Sequence, residues 1–306
     1  MRRLFTALTI LLFTMTAYGQ QTAMYTQYMF NTLPVNPAYA AEDESMTITA
    51  LSRHQWVGFK GAPRTQTLSV HSPVGESNTF LGGTLIDDQI GEVLRESGGY
   101  ATLTQRVEVG DGAFLAVGIN GGVSSFKADY AQNYAYSPES VNDPKFFNSS
   151  AMRGNFGAGV MFFTEKYYLG LSSPHFLSRN FSSYDGNSSA PPVKPYFIFQ
   201  SGALFDINLD YKFKPNALIK YVNGSPMQID LNANFLIKEV LWLGASYRSF
   251  DSFDASASVF ITQDIQLGYS YDFASTQLSQ TQKGSHEVML KFRFAVRGRE
   301  HVRCYF

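Results

Sequence analysis

The stretch Gly284–Val296 alternates with a period of two. His286, Val288, Leu290, Phe292, Phe294 and Val296 share one face, and Glu287, Met289, Lys291, Arg293 and Ala295 share the other. Successive strand side chains point to opposite faces, so one side is almost wholly apolar and the other mostly charged or small. A soluble sandwich buries such an apolar side against a second sheet, whereas a membrane barrel turns it to lipid. The pattern recurs. Leu115, Val117 and Ile119 oppose Ala116, Gly118 and Asn120. Ile229, Leu231, Ala233 and Phe235 oppose Gln228, Asp230, Asn232 and Asn234, and Leu267, Tyr269 and Tyr271 oppose Gln266, Gly268, Ser270 and Asp272. Asp, Asn, Arg, Ser and Gly on the second face predict a wet interior rather than a dry core.

Segments of this kind predict strands near 45–53, 64–72, 79–87, 98–109, 112–123, 153–164, 166–172, 195–208, 211–222, 226–237, 240–249, 252–262, 264–273 and 285–296. Most approach the ~9–11 residues that a tilted strand needs to cross a bilayer. Their number, about fourteen, is even, as in bacterial single-chain barrels. Short turns such as Asn223-Gly224-Ser225-Pro226 alternate with two long excursions, Lys127–Met152 and Pro174–Lys194. The predicted fold is all-β, a single transmembrane antiparallel barrel spanning 45–306. Composition agrees: 18 Tyr, 26 Phe and 25 Gly with only 16% charged residues suit a β protein that meets lipid.

Residues 1–19 read as a signal peptide, with basic Arg2 and Arg3, apolar Leu4–Thr16 and a small-residue site at Ala17-Tyr18-Gly19. The apolar run falls short of the ~20 residues of a spanning helix. Without Arg2 and Arg3, 24 basic residues become 22 against 25 acidic, a net charge near −3, which argues against a nucleic-acid partner. Cys304 is the single cysteine and the His residues lack ligand spacing, so no disulfide, metal or cofactor site is expected. Nor is a catalytic set. Asp87 and Asp88 are adjacent and diverge on a strand, as do Ser285 and His286. Asn36-Pro37-Ala38 copies the aquaporin tripeptide, but in one copy and without membrane helices. Tyr184-Asp185-Gly186-Asn187 reads as a turn.

Between leader and barrel, 20–44 forms a segment of its own. Its part Gln27–Ala40, QYMFNTLPVNPAYA, carries aromatics, a Met and two Pro with no clean period. Eight strands make a barrel filled by its own side chains and sixteen to eighteen leave a channel, so fourteen strands leave a lumen to be occupied. Residues 21–42 are expected to turn back as a plug or to seal the periplasmic mouth. Tyr25, Tyr28, Met29 and Phe30 would pack there and Asn31 and Asn36 would satisfy polar groups, with Pro34 and Pro37 holding the chain extended. A loose tail is the alternative. Arg53, Trp56, Phe59 and Lys60 fall in the first hairpin. Trp56 and Phe59 are interfacial anchors, or Arg53, Trp56, Phe59 and Lys60 form a docking or luminal surface.

An ordered set of motifs carries a family resemblance: NPAYA at 36–40, RHQWVGFKGAPRTQTLS at 53–69, LGGTLIDDQIG at 81–91, LGLSSPHF at 169–176, LWLGASYR at 241–248, LGYSYD at 267–272 and GSHEVML at 284–290. The chain resembles the PorP/SprF family of the Bacteroidetes type IX secretion and gliding machinery, from about Gln27 to Phe306. Ala41 departs from the Gly usual after the Tyr-Ala pair. The resemblance implies a noncatalytic barrel of the Gram-negative outer membrane. It further implies partners among type IX components or secreted adhesins, engaged through the cargo C-terminal domain. Binding is expected at the two long excursions or in the lumen. The terminal Phe306 is similar to the tag that barrel-assembly machinery reads. The competing reading is an outer-membrane solute channel with an N-terminal hatch.

Overall fold

The computed structural model describes residues 24–130, 148–184, 193–275, 281–299 and 305. Residues 1–19, read from the sequence as a signal peptide, lie outside the described residues, as do Cys304 and Phe306. The strands are β1 (Met46–His54), β2 (Arg64–Pro73), β3 (Thr79–Ile90), β4 (Leu94–Gly110), β5 (Ala113–Ala128), β6 (Ser149–Thr164) and β7 (Tyr167–Tyr184). Then come β8 (Tyr196–Ala203, continued past Leu204 by Phe205–Asp206), β9 (Tyr211–Val222), β10 (Gln228–Ile237), β11 (Leu241–Arg248), β12 (Ser252–Phe260), β13 (Ile265–Ala274) and β14 (Ser285–Phe294). Each strand pairs antiparallel with its sequence neighbours. The last strand returns to the first, with Met46 opposite Phe294 and His54 opposite His286. The sheet therefore closes, and closure gives ladder groups partners within the wall, which lipid requires of a spanning sheet. Every strand lies where alternation predicts one.

The start of β1 and the end of β14 share one rim. Turns there are tight, such as residues 111–112 and 165–166, while the opposite rim carries connections 55–63, 129–148, 185–195 and 275–284. Short turns face the periplasm in outer-membrane barrels, which sets the orientation. The edges of the two excursions predicted as loops are wall: 127–128, 149–152 and 174–184 lie in strands. β4 to β7 run for 17, 16, 16 and 18 residues, well past the bilayer. Alternation fades on these extensions because their outer faces no longer meet lipid: Ser97, Ser125 and Lys127 point outward there, where Leu103, Val117 and Ile119 do so lower down. The loop residues 131–147 and 185–192 lie outside the described residues. The motif at 169–176 marks an irregularity, for Ser173 and Leu177 pair with Ala158 and Phe156, so Pro174–Phe176 bulge opposite Gly157. The Pro174 carbonyl accepts from Asn155 Nδ2 at 2.9 Å, and the His175 ring lies between Tyr100 and Tyr196, 5.6 Å from each.

The interior corrects the wet hollow expected from the strand pattern. In the periplasmic half Phe80, Met161, Phe163, Tyr168, Leu236 and Trp242 point inward and are buried in one cluster with residues from 25–41. Charged inward residues are buried in both halves, Arg53, Arg248, Asp230, Asp272 and Glu287 in the extracellular half and Arg106, Lys214, Lys291 and Arg293 in the periplasmic half. The wall can carry Phe163 and Trp242 inward below because it faces protein there.

Candidate functional site

Residues 25–41 are buried throughout except for half-buried Pro34. The two prolines do not hold this segment extended; it folds into two short 3₁₀ turns, Tyr28–Phe30 and Pro37–Ala41. Asn36 caps the second turn, its side-chain oxygen accepting from Ala38 N at 3.0 Å, and Pro37 occupies the first helical position, where a missing N–H costs nothing. Asn36 Nδ2 donates to the Val160 carbonyl at 3.3 Å, and Asn31 Oδ1 accepts from Ser69 Oγ at 2.6 Å. The Tyr28 hydroxyl accepts from Asn232 Nδ2 at 3.0 Å, and Phe30 packs on Trp242 with ring centroids 5.9 Å apart. Tyr25, Tyr28, Met29, Phe30 and Asn36 thus all lie inside the barrel.

The wall is shaped for this backbone. A Cβ at Gly118 would meet Ala38 N and Pro37 C at 2.5 Å. Gly118→Val is therefore expected to cost ~1–3 kcal/mol by overpacking, read as a lower unfolding midpoint together with protease cleavage within 35–41. Gly121→Val, whose Cβ would find its nearest atom 3.8 Å away, serves as the control and should leave both unchanged.

An ionic collar holds the extracellular end. Glu287 accepts from the backbone N–H groups of Thr26 and Gln27 at 2.9 and 2.8 Å, one carboxylate oxygen for each. Arg53 reaches Asp272 at 2.6 Å and Glu287 at 3.2 Å and donates to Thr26 Oγ1 at 2.9 Å. Arg248 pairs with Asp230 at 2.9 Å and donates to the Tyr25 carbonyl at 3.1 Å. These partners stand on five strands, so the segment ties together parts of the barrel that are remote in sequence. At the periplasmic end Arg293 grips Asp43 through two bonds of 2.8 and 2.7 Å. Burial raises the Asp43 pKa, but the Arg293 hydrogen bonds and charge outweigh it and hold the carboxyl below its ordinary value. Neighbouring Glu42 has both oxygens buried without a hydrogen bond among the described residues. Burial pushes its pKa up to about 8 against the pull of Lys214 and Lys291. Tyr305 sits at this mouth, where its carbonyl accepts from Lys214 Nζ at 2.5 Å and its hydroxyl donates to Glu239 at 2.7 Å.

The first-hairpin candidates do not form one surface. Arg53 points into the lumen and is 1% exposed, whereas Phe59 is 51% exposed on the extracellular turn. Lys60 is also exposed there and faces Glu92 at 3.6 Å. Trp56 is half-buried beside them at φ 47°, a conformation bulky residues rarely take. Its N–H donates to Ser285 Oγ at 3.2 Å. Asp272, Glu287, Arg248 and Asp230 were not singled out by the sequence; their one signal was a charge on the inward face of a strand.

Residues 17–292 match the family described as type IX secretion system membrane protein PorP/SprF. The chain belongs to the PorP/SprF family. No curated protein matches this PorP/SprF chain. Among solved structures it is similar to the Pseudomonas putida toluene transporter TodX, at 9% identity and TM-score 0.51, with 91% of this chain and 96% of TodX covered. It is also similar to the Acinetobacter baumannii outer membrane protein Omp33, at 9% identity and TM-score 0.47, with 83% of this chain and 100% of Omp33 covered. At such identities the likeness to TodX speaks for the barrel fold alone. Family and fold together make this PorP/SprF protein an outer-membrane barrel of the type IX secretion system.

Proposed function

We propose that this PorP/SprF barrel is a closed, noncatalytic partner-binding element of type IX secretion and gliding. It supports secretion or surface anchoring of cargo such as adhesins by binding the cargo C-terminal domain or components of the machine. The supporting observation is the buried luminal segment: with residues 25–41 tied to the wall through Glu287, Asp272 and Arg53, binding falls to the barrel's outer surfaces rather than to permeation. A solute channel would need the same segment to move as a hatch, against that collar.

Trp56, Phe59 and Lys60 lie on the extracellular side, where a surface-retained partner arrives. Aromatic and cationic residues of this kind dominate binding interfaces, and backbone strain of ~1–3 kcal/mol at a residue such as Trp56 is the kind found at binding sites. Crosslinked pull-down from native outer membranes is expected to recover a type IX component or a surface adhesin. Trp56→Ala should weaken that recovery about tenfold while leaving heat-modifiable barrel mobility on gels unchanged. Recovery of neither class of partner by the unaltered protein would overturn the proposal. A Trp56→Ala barrel that fails to assemble would instead assign Trp56 to anchoring.

A further inference from the structure

Three outward-facing rows of cross-strand partners cross β1 to β5 at the extracellular edge of the apolar band. The lowest runs Ala50, Leu68, Leu85, Gly99, Val123; the middle, Ser52, Gln66, Asp87, Ser97, Ser125; the upper, His54, Arg64, Gln89, Arg95, Lys127. Strand geometry separates neighbours along a row by ~4.8 Å and successive rows by ~7 Å. The wall therefore passes from apolar, through small and polar, to basic within about 14 Å. A barrel's outer wall is ordinarily convex, yet along the two lower rows this one is hollowed. The groove has a volume of about 830 Å³ and extends to Val288 and Leu290 on one side and Met152 on the other. Its outer lining holds Ala50, Gly99, Ser52, Ser97 and Ser125, whose short side chains leave the hollow open.

We propose that this groove binds a phosphorylated, acylated glycolipid of the outer leaflet, an acyl chain lying in the hollow and a phosphate resting on the basic row. The apolar row merges below with the lipid-facing band and has no polar rim there, so an occupant must itself be lipid-soluble at one end. Charge complements the other end. Asp87 faces the groove but is satisfied by Arg95 at 2.9 Å and by Ser97. Arg64 and Lys127, both exposed in strand neighbourhoods flanking Arg95, have no carboxylate partner among the described residues. Two cations without a carboxylate partner among the described residues, at one end of an apolar trough, match a phosphate joined to acyl chains, and guanidinium binds phosphate through two parallel bonds. A peptide partner would gain nothing from a trough open to hydrocarbon.

The test titrates the detergent-purified full chain with three probes under native mass spectrometry: diphosphorylated lipid A, its dephosphorylated form and phosphatidylglycerol. The protein is expected to retain diphosphorylated lipid A at about tenfold lower concentration than either other probe. Arg64→Glu with Lys127→Glu should abolish that preference, and Ala50→Phe, which fills the hollow, should lower retention of all three, both with unchanged heat-modifiable mobility. Equal retention of the phosphorylated and dephosphorylated forms would overturn the proposal, as would an unchanged preference in the double charge reversal. Equal retention of phosphatidylglycerol would also overturn it, since the site would then take any anionic phospholipid.

Discussion

A barrel lacking residues 21–42 should conduct. In planar bilayers the intact protein is expected to stay near the bare-membrane background, and the deletion to raise conductance about tenfold or more, because fourteen strands enclose more room than their own side chains fill. That room is taken by Tyr28, Met29, Phe30, Leu33 and Tyr39, each less than 5% exposed inside the wall. Their removal opens a path beside inward residues such as Trp242 and Met161, which then line water instead of protein. A synthetic peptide of residues 21–42 should reseal the deleted barrel, since its contacts are with side chains still present. Unchanged conductance on deletion would remove the closed-barrel reading; an intact protein that already conducts like the deletion would mean that solute passes alongside the segment. Neither result bears on the lipid groove, which lies on the other face of the wall.

The strands were legible and the collar was not, for one physical reason. Lipid acts on each strand separately: every outward position of β14 from Val288 to Phe294 must be apolar whatever its neighbours do, so the constraint is written locally and repeats every two residues. It lapses where lipid ends. Ser97, Ser124 and Ser125 lack alternation because both their faces meet polar surroundings, and the strands predicted at 98–109 and 112–123 stop just short of them. Asp87 and Asp88 were separated correctly, since parity alone decides it: Asp88 faces Thr65 inside at 2.6 Å, and Asp87 faces Arg95 outside. Partner identity needs closure of the ring. Nothing in the sequence joins Arg53 to Asp272, or Thr26 to Glu287 across 261 positions, until β14 lies beside β1. The aromatics of the N-terminal stretch are buried against the wall, but nothing in their pattern says that they meet inward Met161, Phe163 and Trp242, because that contact belongs to segment and wall together.

Glu287→Ala is expected to release the extracellular end of the segment at a cost of ~3–5 kcal/mol, the range for removing one partner of a buried ion pair. The loss is large because one carboxylate serves three groups: Arg53 and the N–H groups of Thr26 and Gln27. Deleting it strands two backbone donors away from water and leaves Arg53 with Asp272 and the Thr26 hydroxyl. Urea unfolding in detergent should show the lowered stability, and hydrogen exchange should show lost protection at Thr26 and Gln27 first. Arg53→Met should cost at least as much, since Asp272 and Glu287 would then face each other without their shared cation. Arg53→Met with Glu287→Leu should cost less than the sum of the single changes: Asp272 still loses its cation and Thr26 and Gln27 their acceptor, but no second carboxylate faces Asp272 and no arginine is left short of a partner. Glu92→Ala breaks the exposed pair with Lys60 and should change nothing measurable, as solvent already screens it. A Glu287→Ala loss as small as that of Glu92→Ala would mean that water reaches the collar and that the segment's grip lies lower, at Asp43 and Arg293. Additive single changes would mean that Arg53 and Glu287 hold the segment independently rather than as one unit.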